Sequence, residues 1–212
     1  MSRETIIVNA LTFARVPLIF LWCFLAVAHA MLGGVAFLVS ALAALVASAV
    51  TDLLDGMLAR RWNVVSRLGK MADPLMDKIF FMVSLPTLVW LAARSGERDA
   101  HTAALLALCI LYLVRDTWVT FLRAVGAMFG ADVGAKPLGK ARTALSFPGV
   151  GWVYAYLAAR GLVPAAWVSP WLATCCAVEA LLAALTALSL VTYTLSYLPY
   201  VRMAVGGVEG SR

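Results

Sequence analysis

"TDLLDGMLARRWNVVSRLGKMADPLMDK", residues 51–78, gathers Asp52, Asp55, Asp73 and Asp77 with Arg60, Arg61, Arg67, Lys70 and Lys78. On either side run apolar segments, "VAFLVSALAALVASAV" (35–50) and "IFFMVSLPTLVWLAA" (79–93). A short charged link between two apolar helices of membrane-crossing length predicts an antiparallel transmembrane pair whose ends meet at one membrane face.

The rest of the chain fits that reading. Of its 212 residues, 63% are hydrophobic and 13% charged, and the mean hydropathy is +0.91. A soluble domain is nearer half apolar and a quarter charged, so the excess must face lipid. The expected fold is an all-α integral membrane protein with six transmembrane helices, over roughly 6–30, 33–60, 70–93, 102–127, 142–160 and 170–197. They form a single membrane domain over 1–212. "MLGG", "ARSGERDAH", "GAMFGADVGAKPLGKAR" and "RGLVPAAWVSP" read as connections. The segment ending in "AVAHA" at Ala30 resembles a cleaved signal peptide, but its apolar run is long enough to span and another follows directly.

Basic residues predict the orientation. With the N-terminus inside, Arg3, Arg60, Arg61, Arg67, Lys70, Lys78, Arg123, Lys136, Lys140, Arg142, Arg202 and Arg212 fall on the cytoplasmic side, with Arg15 near it. Arg94, Arg98 and Arg160 fall outside, and Arg115 lies within a span. This asymmetry predicts N-in/C-in, with the acidic stretch at the cytoplasmic face. The net charge of +6 is then explained by orientation and an anionic substrate or lipid, without nucleic acid. Cys23, Cys109, Cys175 and Cys176 lie in apolar runs and read as packing residues. Trp167, Trp171, Tyr197 and Tyr200 read as interfacial belt residues. Glu179, inside the sixth helix, has no evident partner in sequence.

Asp52 and Asp55 are three apart, and Asp73 and Asp77 four apart, so each pair shares a helix face. Convergence of four carboxylates at a membrane edge calls for cations. The plainer source is salt bridging to Arg60, Arg61, Arg67 and Lys70. The other is bound metal. With no His or Cys nearby, the oxygen donors suit Mg²⁺ or Mn²⁺, with Ca²⁺ a further option, and four carboxylates suit two ions. A cation transporter would instead distribute its acids along a path across the bilayer.

The spacing Asp52-x2-Asp55-Gly56-x2-Ala59-Arg60-x8-Gly69-x3-Asp73-x3-Asp77 fills all eight defined positions of the signature of the CDP-alcohol phosphotransferases. The chain resembles that family over this motif and over the six-helix plan. The resemblance implies that Asp52, Asp55, Asp73 and Asp77 hold two divalent cations, Mg²⁺ or Mn²⁺. It implies that Asp77 is also the general base on the acceptor hydroxyl. Gly56, Ala59, Arg60 and Gly69 would shape the cytidine-diphosphate pocket. It further implies a homodimer in the cell inner (cytoplasmic) membrane, with the active site facing the cytoplasm.

The signature leaves the acceptor open. "NALTFAR" (9–15) resembles the "N-x-L-T-x-x-R" opening of phosphatidylglycerophosphate synthases, which makes Thr12 and Arg15 candidates. Arg15 could equally snorkel to headgroups. "RDTWVTFLR" (115–123) and "LGKARTALS" (138–146) resemble the "R-E-x5-L-R-E" and "L-G-K-x-K-T-x-x-Q" segments of those enzymes. Asp116, Ala124 and Ser146 depart from that pattern. A cluster of Arg115, Arg123, Lys140 and Arg142 suits a phosphorylated acceptor. The implied reaction moves the phosphatidyl group of CDP-diacylglycerol to glycerol 3-phosphate and releases CMP. The same segments also resemble eukaryote-type cardiolipin synthases, which use phosphatidylglycerol as acceptor. Inositol-phosphate transfer is a further option whose helix-four pattern is not evident. Asp116 beside Arg115 also reads as an ion pair.

Overall fold

A computed structural model describes residues 3–64, 67–131 and 137–206. Six helices and no strand occur among the described residues: α1 (Arg3–Leu32), α2 (Val35–Arg61), α3 (Arg67–Arg94), α4 (Asp99–Met128), α5 (Pro137–Ala159) and α6 (Ala165–Gly206). Five of them, all but α5, are long and apolar enough to cross a membrane. The exterior is apolar as the composition requires: Phe24, Leu32, Val46 and Leu195 all point outward. A polar solvent would oppose such a surface, whereas hydrocarbon accepts it.

Several expected boundaries move, among them the start of α5, which begins at Pro137 inside the expected connection, and the start of α6, at Ala165. α4 starts at Asp99, inside the expected polar loop, and α6 runs 42 residues instead of stopping near 197. At 1.5 Å per residue α6 is about 63 Å long, roughly twice the hydrocarbon thickness. Pro170 and Pro199 lie within it. Each removes one backbone donor without ending the helix, as bundles of long apolar helices tolerate. The turn between α1 and α2 is tight because Gly33 and Gly34 adopt φ of +74° and +94°, which side chains with a Cβ resist.

α1 packs along α2 and α3, α4 along α6 and α3, and α5 along α6, α3 and α2. The core between them is aromatic. Trp22 and Tyr154 meet edge to face at 5.3 Å, and Phe80 stacks on Phe147 at 4.0 Å. Phe81 meets Tyr112 at 5.2 Å. Such contacts add roughly 0.5–1.5 kcal/mol each beyond burial. They tie α1, α3, α4 and α5 together, while α2 packs on α1 and α5, so that among the described residues α1 stands between α2 and α3, which do not form the expected adjacent pair.

Candidate functional site

The site begins on α1. Asn9, Thr12 and Arg15 recur at helical spacing on one face, and all three are buried. The Thr12 hydroxyl donates to Asp55 Oδ2 at 2.8 Å. Arg15, 5% exposed, reaches all four aspartates. Its Nη1 contacts Asp52 and lies 3.6 Å from Asp77, and its Nη2 lies 3.3 Å from Asp55 and 3.4 Å from Asp73. Each terminal nitrogen thus bridges one carboxylate of α2 and one of α3. Asp55 is the deepest of the four and Asp73 the most exposed.

This arrangement corrects two expectations. Among the described residues the cation shared by the aspartates is Arg15, from a different helix, while Arg60 and Arg61 are exposed. Arg67 and Lys70 carry side chains outside the described residues. Arg15 does not snorkel: it is drawn inward because a buried guanidinium needs carboxylate partners, and four are present. The donor set fits divalent metal. All four groups offer oxygen, the donor type that Mg²⁺ and Mn²⁺ take, and they come from two helices around the Arg15 guanidinium.

Gly56, Ala59 and Arg60 follow on α2. A Cβ built at Gly56 meets only the Arg60 guanidinium, at 3.7 Å, an ordinary contact. The chain's own packing therefore does not demand glycine there. Gly69 lies on the first turn of α3, half-buried.

A cavity of about 450 Å³ joins these acids to the expected acceptor residues. Asp52, Asp73 and Asp77 line one wall, and Arg115, Arg123 and Arg142 another. Arg115 donates to Ser189 Oγ through Nη2 at 2.6 Å and to Asp116 Oδ1 through Nη1 at 2.8 Å. Arg142 reaches the same Asp116 oxygen at 3.0 Å. Its guanidinium lies 4.6 Å over the Tyr112 ring, and its Nε and Nη1 are buried without a hydrogen-bond partner among the described residues. Arg123 donates to the Tyr193 hydroxyl at 3.2 Å, and the Tyr193 ring also faces Arg115 at 5.2 Å. The Lys140 side chain lies outside the described residues. Gly139, beside it, lines the cavity, and a Cβ there would stand 3.5 Å from both Arg115 Nη2 and the Tyr193 hydroxyl.

Several contributors escape the motif-based reading. Asp116 is an ion pair as expected, but it serves two arginines from two helices. Ser189 and Tyr193 come from α6, where Thr186, Ser189, Tyr193 and Tyr197 form a buried polar stripe at spacings of three and four. That stripe in an apolar helix is the signal that would have found them. Tyr197, expected at the membrane interface, is instead 2% exposed and stacked beside Tyr193. Glu179 has a partner, His101, whose Nε2 lies 2.9 Å from Glu179 Oε1.

The chain resembles known proteins along most of its length. A protein from Streptomyces coelicolor named cardiolipin synthase (CMP-forming) is 42% identical over 92 residues, 42% of this chain and 41% of that one. A CDP-diacylglycerol–glycerol-3-phosphate 3-phosphatidyltransferase from Rickettsia bellii is 30% identical over 141 residues, 65% of this chain and 68% of the relative. The Bacillus subtilis protein of the same name is 38% identical over 109 residues, 51% of each. These matches span between about two fifths and two thirds of the relatives' lengths. The family model for CDP-alcohol phosphatidyltransferases matches residues 5–178, which include all eight signature positions and the arginine-lined wall of the cavity, so the chain belongs to the CDP-alcohol phosphatidyltransferase family.

Proposed function

We propose that this protein is a phospholipid-synthesising membrane enzyme that transfers the phosphatidyl group of CDP-diacylglycerol to glycerol 3-phosphate and releases CMP. The observation that carries this reading is the single cavity with carboxylates on one wall and arginines on the other. Asp116 neutralises part of the arginine wall, and Arg115, Arg123, Arg142 and Lys78 leave it positive. A phosphate dianion suits that excess, and Arg142 keeps two donors, Nε and Nη1, without a partner among the described residues.

In this account Asp52, Asp55, Asp73 and Asp77 hold two divalent cations, Mg²⁺ or Mn²⁺, which when bound neutralise the pyrophosphate and stabilise the departing CMP. The four carboxylates that α2 and α3 gather around the Arg15 guanidinium supply the oxygen donors for those ions. Gly56, Ala59, Arg60 and Gly69 shape the cytidine-diphosphate pocket. The space at Gly56 lets a nucleotide approach the α2 backbone, with Arg60 on phosphate. Arg115, Arg123, Lys140 and Arg142 hold the acceptor's phosphate, which presents its free hydroxyl toward Asp77. The hydroxyl oxygen bonds to the phosphorus that carries diacylglycerol, the bond from that phosphorus to the CMP oxygen breaks, and the hydroxyl proton passes to Asp77. Thr12 and Arg15 position Asp55 and its neighbours.

The same reading places the chain as one domain with six spans, N-in/C-in, in the inner (cytoplasmic) membrane. The acidic site then faces the cytoplasm, where its water-soluble substrate is found, and the chain works as a homodimer. A second acceptor, phosphatidylglycerol, is favoured by the match to the Streptomyces protein. An acceptor panel separates the two. Purified protein with CDP-diacylglycerol and Mg²⁺ or Mn²⁺ releases CMP on addition of glycerol 3-phosphate. Release with phosphatidylglycerol alone makes it a cardiolipin synthase, and no release with any alcohol ends the enzyme reading.

A further inference from the structure

A second cluster of charged and metal-ligating groups lies at the other end of the bundle. His101 is in the first turn of α4, fourteen residues before Arg115, and Glu179 is on α6, ten residues before Ser189. At 1.5 Å per residue both lie about 15–21 Å along their helices from the cavity. One ligand atom each of His101, Cys176 and Glu179 lie within 4.8 Å of one another. Cys176 and Glu179 are three apart on α6 and share a face.

We propose that His101, Cys176 and Glu179 form a binding site for a divalent cation of the zinc class, separate from the aspartate site. The donor chemistry selects the class: an imidazole, a thiol and a carboxylate suit Zn²⁺ and neighbouring transition metals, and a set with only one oxygen donor does not suit Mg²⁺ or Ca²⁺. Charge agrees as well. A thiolate and a carboxylate neutralise a doubly charged ion, so the bound site is neutral where His101 and Glu179 are buried.

A further observation points to a ligand. Glu179 Oε2 is buried with no hydrogen-bond partner among the described residues, on a side chain about 95% buried. An outer carboxylate also stands ready. His101 Nδ1 lies 3.9 Å from Glu97 Oε1, so an ion on Nε2 would leave the Nδ1 proton facing Glu97. Ligating histidines commonly have such a carboxylate partner. Glu97 is itself fixed by Arg160 and by the Tyr156 hydroxyl, which donates to it at 2.9 Å.

The full-length protein, purified in detergent, is equilibrated with Zn²⁺ under excess Mg²⁺, desalted, and assayed for metal. Retention of about one Zn²⁺ per chain is expected, with Co²⁺ in its place showing thiolate charge-transfer absorption. Cys176→Ser and His101→Ala each weaken retention by more than the ~10–100-fold typical of losing a group outside the ligand set. Asp73→Asn leaves it intact. Cys176→Ser keeps the thermal transition and CMP release of the parent, which separates ligand loss from misfolding. No retained Zn²⁺, a cobalt spectrum without the thiolate band, or loss in Asp73→Asn with retention in Cys176→Ser would overturn the proposal.

Discussion

Replacing Arg142 by lysine keeps one positive charge on the cavity wall and removes the donors that the guanidinium has beyond its bond to Asp116. Arg142 spends one terminal nitrogen on Asp116, at 3.0 Å, and has Nε and Nη1 left for a ligand. These two donors lie on opposite edges of the guanidinium, so one of them meets the phosphate of glycerol 3-phosphate, and lysine, held at Asp116, loses that bond. A hydrogen bond to a charged group contributes ~1.5–3 kcal/mol, so the substitution costs about 2 kcal/mol. At ~1.36 kcal/mol per decade this is roughly 30-fold in kcat/KM. The assay is initial CMP release with each substrate varied while the other is saturating. Arg142→Lys is expected to lower kcat/KM for glycerol 3-phosphate by about 30-fold and to change that for CDP-diacylglycerol by less than about threefold. Equal losses for both substrates, or a loss under about threefold for glycerol 3-phosphate, would refute the assignment of Arg142 to the acceptor.

Other substitutions probe the surroundings. Gly56→Ala adds a Cβ with only an ordinary 3.7 Å contact within the chain, so thermal stability should hold while KM for CDP-diacylglycerol rises. A drop in melting temperature with unchanged KM would show that the glycine serves folding. Gly126→Ala places its Cβ 2.5 Å from Tyr197 Cε1. Overpacking of this kind costs about 1–3 kcal/mol, and it should lower the melting temperature and weaken glycerol 3-phosphate binding through the stacked Tyr193. Burial raises the Glu97 carboxyl, but the Arg98 amide, the Tyr156 hydroxyl and the Arg160 guanidinium outweigh it and hold Glu97 below its ordinary value. A group depressed in the folded state stabilises the fold above its unfolded value of ~4.3 and loses that contribution as pH falls through the folded value. Melting temperature should therefore fall on acidification below about pH 4, and Glu97→Gln should flatten that dependence.

The sequence revealed most where chemistry is concentrated and least where it is spread across helices. The acidic motif is legible because its spacing brings the carboxylates onto two helix faces, and the structure brings all four to one point. The partner of those carboxylates was harder to assign. Arg15 is 37 residues from Asp52 in sequence, and nothing in α1 alone separates a guanidinium that snorkels outward from one that turns inward. That choice depends on how α1 packs against α2 and α3. Ser189 and Tyr193 were missed for a related reason. Single hydroxyls in a long apolar helix resemble helix-packing residues until a second helix supplies an arginine. The expected sixth helix, 170–197, falls short at both ends, and the helix that forms carries Pro170 and Pro199 inside it.

The most direct measurement is CMP release by the purified wild-type protein and by Asp77→Asn, with CDP-diacylglycerol, glycerol 3-phosphate and Mg²⁺ or Mn²⁺. The account predicts release by the wild type that requires both the acceptor and the cation. It predicts loss of release in Asp77→Asn by at least the ~10²–10⁴-fold contributed by a positioned base, with the thermal transition retained. Undiminished release by Asp77→Asn, or release that does not depend on the added cation, would contradict it.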